Sequence, residues 1–149
     1  MEVISQKEKE MEDELFYEID MFKKTCDRFS CWNELCQFRK NLLIESLATH
    51  TRVLIDFFYC DNKKFPDDDI IAQDLLPDNI VWKEIRPQEL PQILKDAKVK
   101  ADKQLAHLTL SRLRLERENK KGWDYKQINQ EMNKIIECFN NVKNTTDRI

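Results

Sequence analysis

Large apolar side chains recur at intervals of three and four in two well-separated stretches. Met11, Leu15, Ile19, Phe22, Cys26 and Phe29 form one series, and Tyr125, Ile128, Met132, Ile135, Phe139 and Val142 form the other. Side chains spaced this way share one face of an α-helix. No segment shows the sustained apolar–polar alternation of a half-buried strand. The chain has one glycine and four prolines in 149 residues, too few for the tight turns that a sheet consumes. An all-α fold follows, and this length suits one domain with one core.

Local signals divide the chain into four helices. The first spans about 6–28, with Ser5 and Glu8 as a capping box and an acidic outer face. The second spans about 30–59, with Ser30 as N-cap. At ~100° per residue its apolar side chains, from Leu42 and Leu43 to Phe57 and Phe58, cover a broad arc. A surface helix needs only an apolar stripe of ~100°. The second helix is therefore central, or covered by a second subunit, and a homodimer is expected. Glu45, Thr49, Arg52 and Asp56 group on the polar arc, whereas Ser46 and His50 fall inside the apolar one.

Residues 60–90 should be irregular. Pro66, Pro77 and Pro87 break them into turns or one-turn helices, with Asp67 or Asp68 capping one and Asp78 another. Trp82 and Ile85 are expected to pin this segment to the bundle. The third helix spans about 91–121, from Pro91 as first helical residue to Gly122 just past its end. Leu90, Ile93, Leu94, Ala97, Ala101, Leu105 and Leu108 make its core stripe. The fourth spans about 124–144, with Asp124 and Gln127 as a capping box. The sum is an up-and-down four-helix bundle with an elaborated loop between helices 2 and 3.

Several chemistries are excluded by what the sequence lacks. One glycine rules out a phosphate-cradling Gly-rich loop, and there is no Gly-x-Ser-x-Gly elbow or Glu-x-x-His pair. The five cysteines contain no Cys-x-x-Cys, and the acids of 67–78 lack the glycine of a calcium loop. Neither a metal nor another cofactor is expected. The charged N-terminus and the absence of a long apolar run point to a cytoplasmic protein with free thiols and no membrane segment.

Charge is unevenly placed. Residues 1–20 carry eight acids and two lysines, and residues 95–121 carry nine Lys or Arg and four acids. The basic stretch can face phosphate, or it can be a solvated helix with cations near its C-terminal end. Of the two histidines, His107 sits at the rim of its helical stripe beside Lys100 and Arg114. A neutral imidazole there can move a proton at physiological pH. Lys100, Lys103, Arg112 and Arg114 are the candidate phosphate-binding cations. That set suits metal-independent RNA cleavage, or plain nucleotide binding. The alternative is a structural His107 bonded to a carbonyl or carboxylate. Arg112 falls inside the stripe of an unbroken helix, so it needs a carboxylate partner, Glu45 or Asp56, or a kink near His107. His50 reads as a neutral core histidine with a hydrogen-bond partner. Arg52 and Asp56 form an i,i+4 ion pair by default.

The segments LLIESLATHTRVLIDFFY, DDDIIAQD and KQLAHLTLSR resemble small bacterial helical proteins whose layout is similar to HEPN domains. The resemblance covers roughly residues 39–112. It implies a helical bundle, usually dimeric, of toxin–antitoxin or defence systems. HEPN ribonucleases carry an Arg-x4–6-His motif that meets its copy across the dimer to cut RNA. His107 matches the histidine. The arginine position is taken by Lys100, Ala101 or Asp102, and Lys100 lacks the bidentate guanidinium fork. HEPN-like bundles without the motif act as non-catalytic binding or antitoxin-like partners.

Overall fold

The computed structural model describes residues 6–105 and 122–146. The described residues are all-α, with no strand. Four main helices carry the fold: α1 (Gln6–Arg28), α2 (Gln37–Tyr59), α4 (Gln92–Lys100) and α5 (Tyr125–Thr146). A one-turn helix, α3 (Trp82–Ile85), and a 3-10 turn at Ala72–Leu75 interrupt the α2–α4 connection. Successive main helices run antiparallel. Glu18 meets His50 and Thr25 meets Ser46, while Asp56 meets Lys98 and Arg52 meets Asp102. Glu12 meets Lys143 at one end of the α1–α5 pair, and Phe29 meets Tyr125 at the other.

The expected stripes face the core. Phe22 and Cys26 are buried from α1 and Phe29 from just past its end, with Met11, Leu15 and Ile19 packed against the core. Ile128, Met132, Ile135 and Phe139 are buried from α5, joined by Ile136. Asp124 caps α5, its carboxylate accepting the Gln127 N–H at 3.1 Å. At the closed end, the rings of Phe57, Phe58, Trp82 and Phe139 pack edge-on or tilted. The Trp82 indole donates to the Phe58 carbonyl at 2.8 Å.

Several sequence expectations need correction. The second helix does not start at Ser30. Residues Phe29–Glu34 form a 3-10 turn, kinked at Cys31, and α2 begins only after an extended Leu35 and Cys36. Ser30 instead donates to the Asp27 carbonyl at 2.7 Å, closing off α1. The cause is aromatic: Phe29 stacks on Trp32 at 5.3 Å and on Tyr125 at 4.7 Å, which folds the turn inward with no glycine or proline to announce it. Pro91 stands just before the first helical residue, with ψ 141° and its carbonyl accepting from Leu94 and Lys95. The loop caps are Asp69, accepting from the Phe65 N–H, and Asp74, accepting from the Ile71 N–H. Trp82 pins the connection, but Ile85 is exposed. On α2 the buried arc is narrower than the apolar one, because Leu42 and Val53 are exposed. Ser5 of the first capping box lies outside the described residues.

Thr51 is buried in the middle of α2, and its hydroxyl has no hydrogen-bond partner among the described residues. A buried, unpaired hydroxyl costs roughly 1–3 kcal/mol. Thr51→Val removes it at nearly constant shape and is expected to raise stability by about 1 kcal/mol. Urea denaturation checks this, and a less stable variant would mean the hydroxyl is satisfied after all.

Candidate functional site

The third helix changes character where chemistry was expected. After α4 the chain winds as a π-helical turn, Ala101–Leu105. A π turn inserts one residue and shifts every later side chain by roughly 100°. The helical wheel that set His107 beside Lys100 and Arg114 assumed no such insertion. His107, Arg112 and Arg114 themselves lie outside the described residues.

Glu45, Thr49, Arg52 and Asp56 do share a face, as the spacing on α2 implies. With Ala48, Val53 and Ala101 they line a polar cleft of about 500 Å³ between α2 and the start of the π turn. Arg52 and Asp56 are matched by neighbouring charges. Arg52 Nε lies 3.0 Å from Asp102 and 3.9 Å from Asp56, so its stronger partner is across the cleft rather than along its own helix. Asp56 pairs with Lys98 of α4. Lys100 donates to the Gly122 carbonyl at 2.7 Å and lies over the Trp123 ring. Lys103 is exposed on the π turn.

His50 is the core histidine that its wheel position implies. It is buried, and its Nδ1 lies 2.7 Å from a Glu18 carboxylate oxygen on α1, with Tyr17 edge-on to the ring. Glu18 escaped the sequence reading. The available signal was its place three residues after Leu15 and one before Ile19, at the border of the α1 stripe.

A second cleft lies between α1, α2 and the connection that follows α2. It is larger, about 660 Å³, and mostly apolar. Met11 and Leu15 come from α1, Val53, Leu54 and Phe57 from α2, and Phe65, Ile70 and Ile71 from the connection. Its charged lining residues are Glu14, Glu18, Asp56 and Asp69 against Lys64. Val53 and Asp56 border both clefts. No protein-family model, curated protein or solved structure matches the chain.

Two of the thiols are held back by burial. Burial pushes the Cys26 thiol up to about 12, with Asp27 adding to the effect, so it stays protonated and a poor nucleophile. Burial also raises the Cys138 thiol. Among the described residues no three His, Cys, Asp or Glu side chains are arranged to hold a metal ion. No described helix is long and apolar enough to cross a membrane.

Sequence reasoning missed the apolar cleft. Phe65 and Ile70 were the available signal: two large apolar residues in an acidic, proline-flanked loop, where solvation alone gives them no reason to be.

Proposed function

We propose that this chain is a non-catalytic helical interaction protein that holds a partner in the cleft between α1, α2 and the α2–α4 connection. One observation carries this reading: the cleft of about 660 Å³ has an apolar floor, and Val53, Phe65 and Ile70 are exposed at it. Apolar concavities with a polar rim are where proteins take ligands or partners. The reading fits the role that the HEPN resemblance implies for bundles without the motif arginine, an antitoxin-like partner. It places the chain in the cytoplasm, as a homodimer through the exposed Phe38 and Leu42 of α2.

A second reading has one observation in its favour. Local π-helical winding recurs at functional sites, and here the turn Ala101–Leu105 shortly precedes His107 in the sequence. This reading makes the chain an RNA- or nucleotide-binding protein with metal-independent ribonuclease chemistry at His107. Lys100, Lys103, Arg112 and Arg114 would hold the phosphate. The bond from Lys100 to the Gly122 carbonyl weighs against it, because Lys100 would have to leave that partner to reach a phosphate.

The test is RNA cleavage in EDTA by the wild type and His107→Ala, beside affinity capture from the source cells. We expect no cleavage by either protein. We also expect a stoichiometric polypeptide partner that is lost when Phe65 and Ile70 are both changed to Asp. Light scattering of the wild type should give twice the 18.0 kDa chain mass. Cleavage that disappears in His107→Ala would replace the interaction reading with the nuclease one.

A further inference from the structure

We infer that the occupant of the apolar cleft is a basic amphipathic helix of a partner protein. This rests on the interaction reading above and names the partner's chemistry.

The walls set the shape. α1 contributes Met11 to Glu18, and α2 with its C-cap contributes Val53 to Cys60, so each wall is about 10 Å long at 1.5 Å per residue. That is two turns of a guest helix, with anchors at i, i+3 or i+4, and i+7. The described residues contain no strand, so they offer no sheet edge for an extended peptide. Two helical walls suit a third helix whose side-chain ridges enter the groove between them.

The rim sets the charge. Glu14 and Glu18 stand on the α1 wall and Asp69 on the connection, while Lys64 is the one cation among the lining residues. Part of this negative charge is used internally. Asp56 pairs with Lys98, Glu18 bonds His50, and Asp69 accepts from the Phe65 N–H. Glu14, Asp67 and Asp68 are exposed. A neighbouring groove continues the rim past Glu10 and Asp67–Asp69, where acids outnumber the two cations, Lys7 and Lys63, and Lys63 is already paired with Asp74. An apolar floor inside an acidic rim is complementary to leucine-type anchors flanked by Lys or Arg. It repels nucleic acid and acidic helices.

The probe is a fluorescein-labelled helix of about 14 residues, with leucine at the anchor positions and lysine elsewhere. A second peptide carries glutamate in place of lysine. Fluorescence anisotropy is read with the full chain at physiological salt. The lysine peptide should bind about tenfold or more tightly than the glutamate peptide. Glu14→Lys with Asp68→Lys should weaken it about tenfold, since two rim charges are reversed. Phe65→Ser with Ile70→Ser should weaken it at least as much. Glu137→Lys, on α5 and outside the cleft, should change it less than about twofold. All these positions are exposed, so the variants should keep the wild-type melting temperature.

Equal binding of both peptides, lost in the Phe65/Ile70 variant, would overturn the basic partner and leave an interaction cleft. An effect of Glu137→Lys as large as that of the rim pair would mean diffuse attraction and would also overturn it. Loss of the inference together with the interaction reading has a different signature: neither peptide binds, and the polypeptide captured from cells is indifferent to Phe65 and Ile70.

Discussion

Phe139→Ala is expected to lower the unfolding free energy by about 4 kcal/mol, the largest loss from any single truncation proposed for this chain. Phe139 is 1% exposed. Its ring centroid lies 5.2 Å from Trp82, 5.5 Å from Phe58 and 5.8 Å from Phe57, each pair edge-to-face. Truncation removes the ring's transfer free energy and leaves a cavity walled by three rigid aromatics that cannot collapse into it. The edge-to-face pairs add about 0.5–1.5 kcal/mol each beyond buried area. For a chain of this size the melting temperature should fall by about 10 °C or more. Phe139→Leu refills most of the space and should lose about half as much. Urea denaturation of the two variants decides it. A loss under about 1.5 kcal/mol for the alanine variant would show that the α5 seam, not the aromatic knot, holds this end of the bundle together.

The knot also shows what was legible in the sequence and what was not. The three–four spacing on α1 and α5 marks the buried faces correctly, because helical geometry turns spacing directly into direction. It gave Phe139 a core position, and the wheel of α2 gave His50 a buried one. It carried no information about which distant side chain would arrive opposite, so Glu18 as the partner of His50 was not foreseen. The break before α2 was hidden for a related reason. Stacking of Phe29 on Trp32 and Tyr125 is tertiary, and Ser30 looks like an N-cap in isolation. The polar face Glu45–Arg52–Asp56 was read from one helix alone, so its partners, Lys98 and Asp102, were outside reach. The apolar cleft was least legible, since its third wall is irregular chain, where periodicity has nothing to say.

That third wall is held by Arg86, and the second large effect is expected there. Arg86→Ala should cost about 3 kcal/mol. Arg86 is 7% exposed, a rare condition for an arginine. One guanidinium nitrogen donates to the Phe58 carbonyl at 2.9 Å, another lies 3.0 Å from Asp61, and the group stacks over Tyr59 at 4.6 Å. The Phe58 carbonyl is in the last turn of α2, where backbone acceptors lack helical partners. Arg86 and Trp82 together supply the missing donors, and a cation there also suits the helix dipole. The Arg86 Nε meets no hydrogen-bond partner among the described residues, which sets the loss at the lower end for a buried ion pair. Arg86→Lys should recover less than half of it, because one ammonium cannot bond Phe58, pair with Asp61 and stack on Tyr59 at once.

The Asp61 side of this arrangement predicts a pH signature. A hydrogen bond from Lys83, and after it the charge of Arg86, hold the Asp61 carboxyl below its ordinary value of 3.8. A carboxyl lowered in the folded state adds stability above its unfolded value and loses it as pH falls through the folded one. The stability gap between wild type and Asp61→Asn should therefore be full at pH 7 and close by about pH 2. A gap that persists in acid would place the effect in packing rather than charge. Asp61 opens the segment that carries Lys64, Phe65, Asp69 and Ile70 to the cleft, so the same substitutions reach function. At pH 7 Arg86→Lys should still be folded, yet bind the lysine-rich helix more weakly than wild type. Its cleft residues are all intact, so unchanged affinity would mean that the wall keeps its place without Arg86.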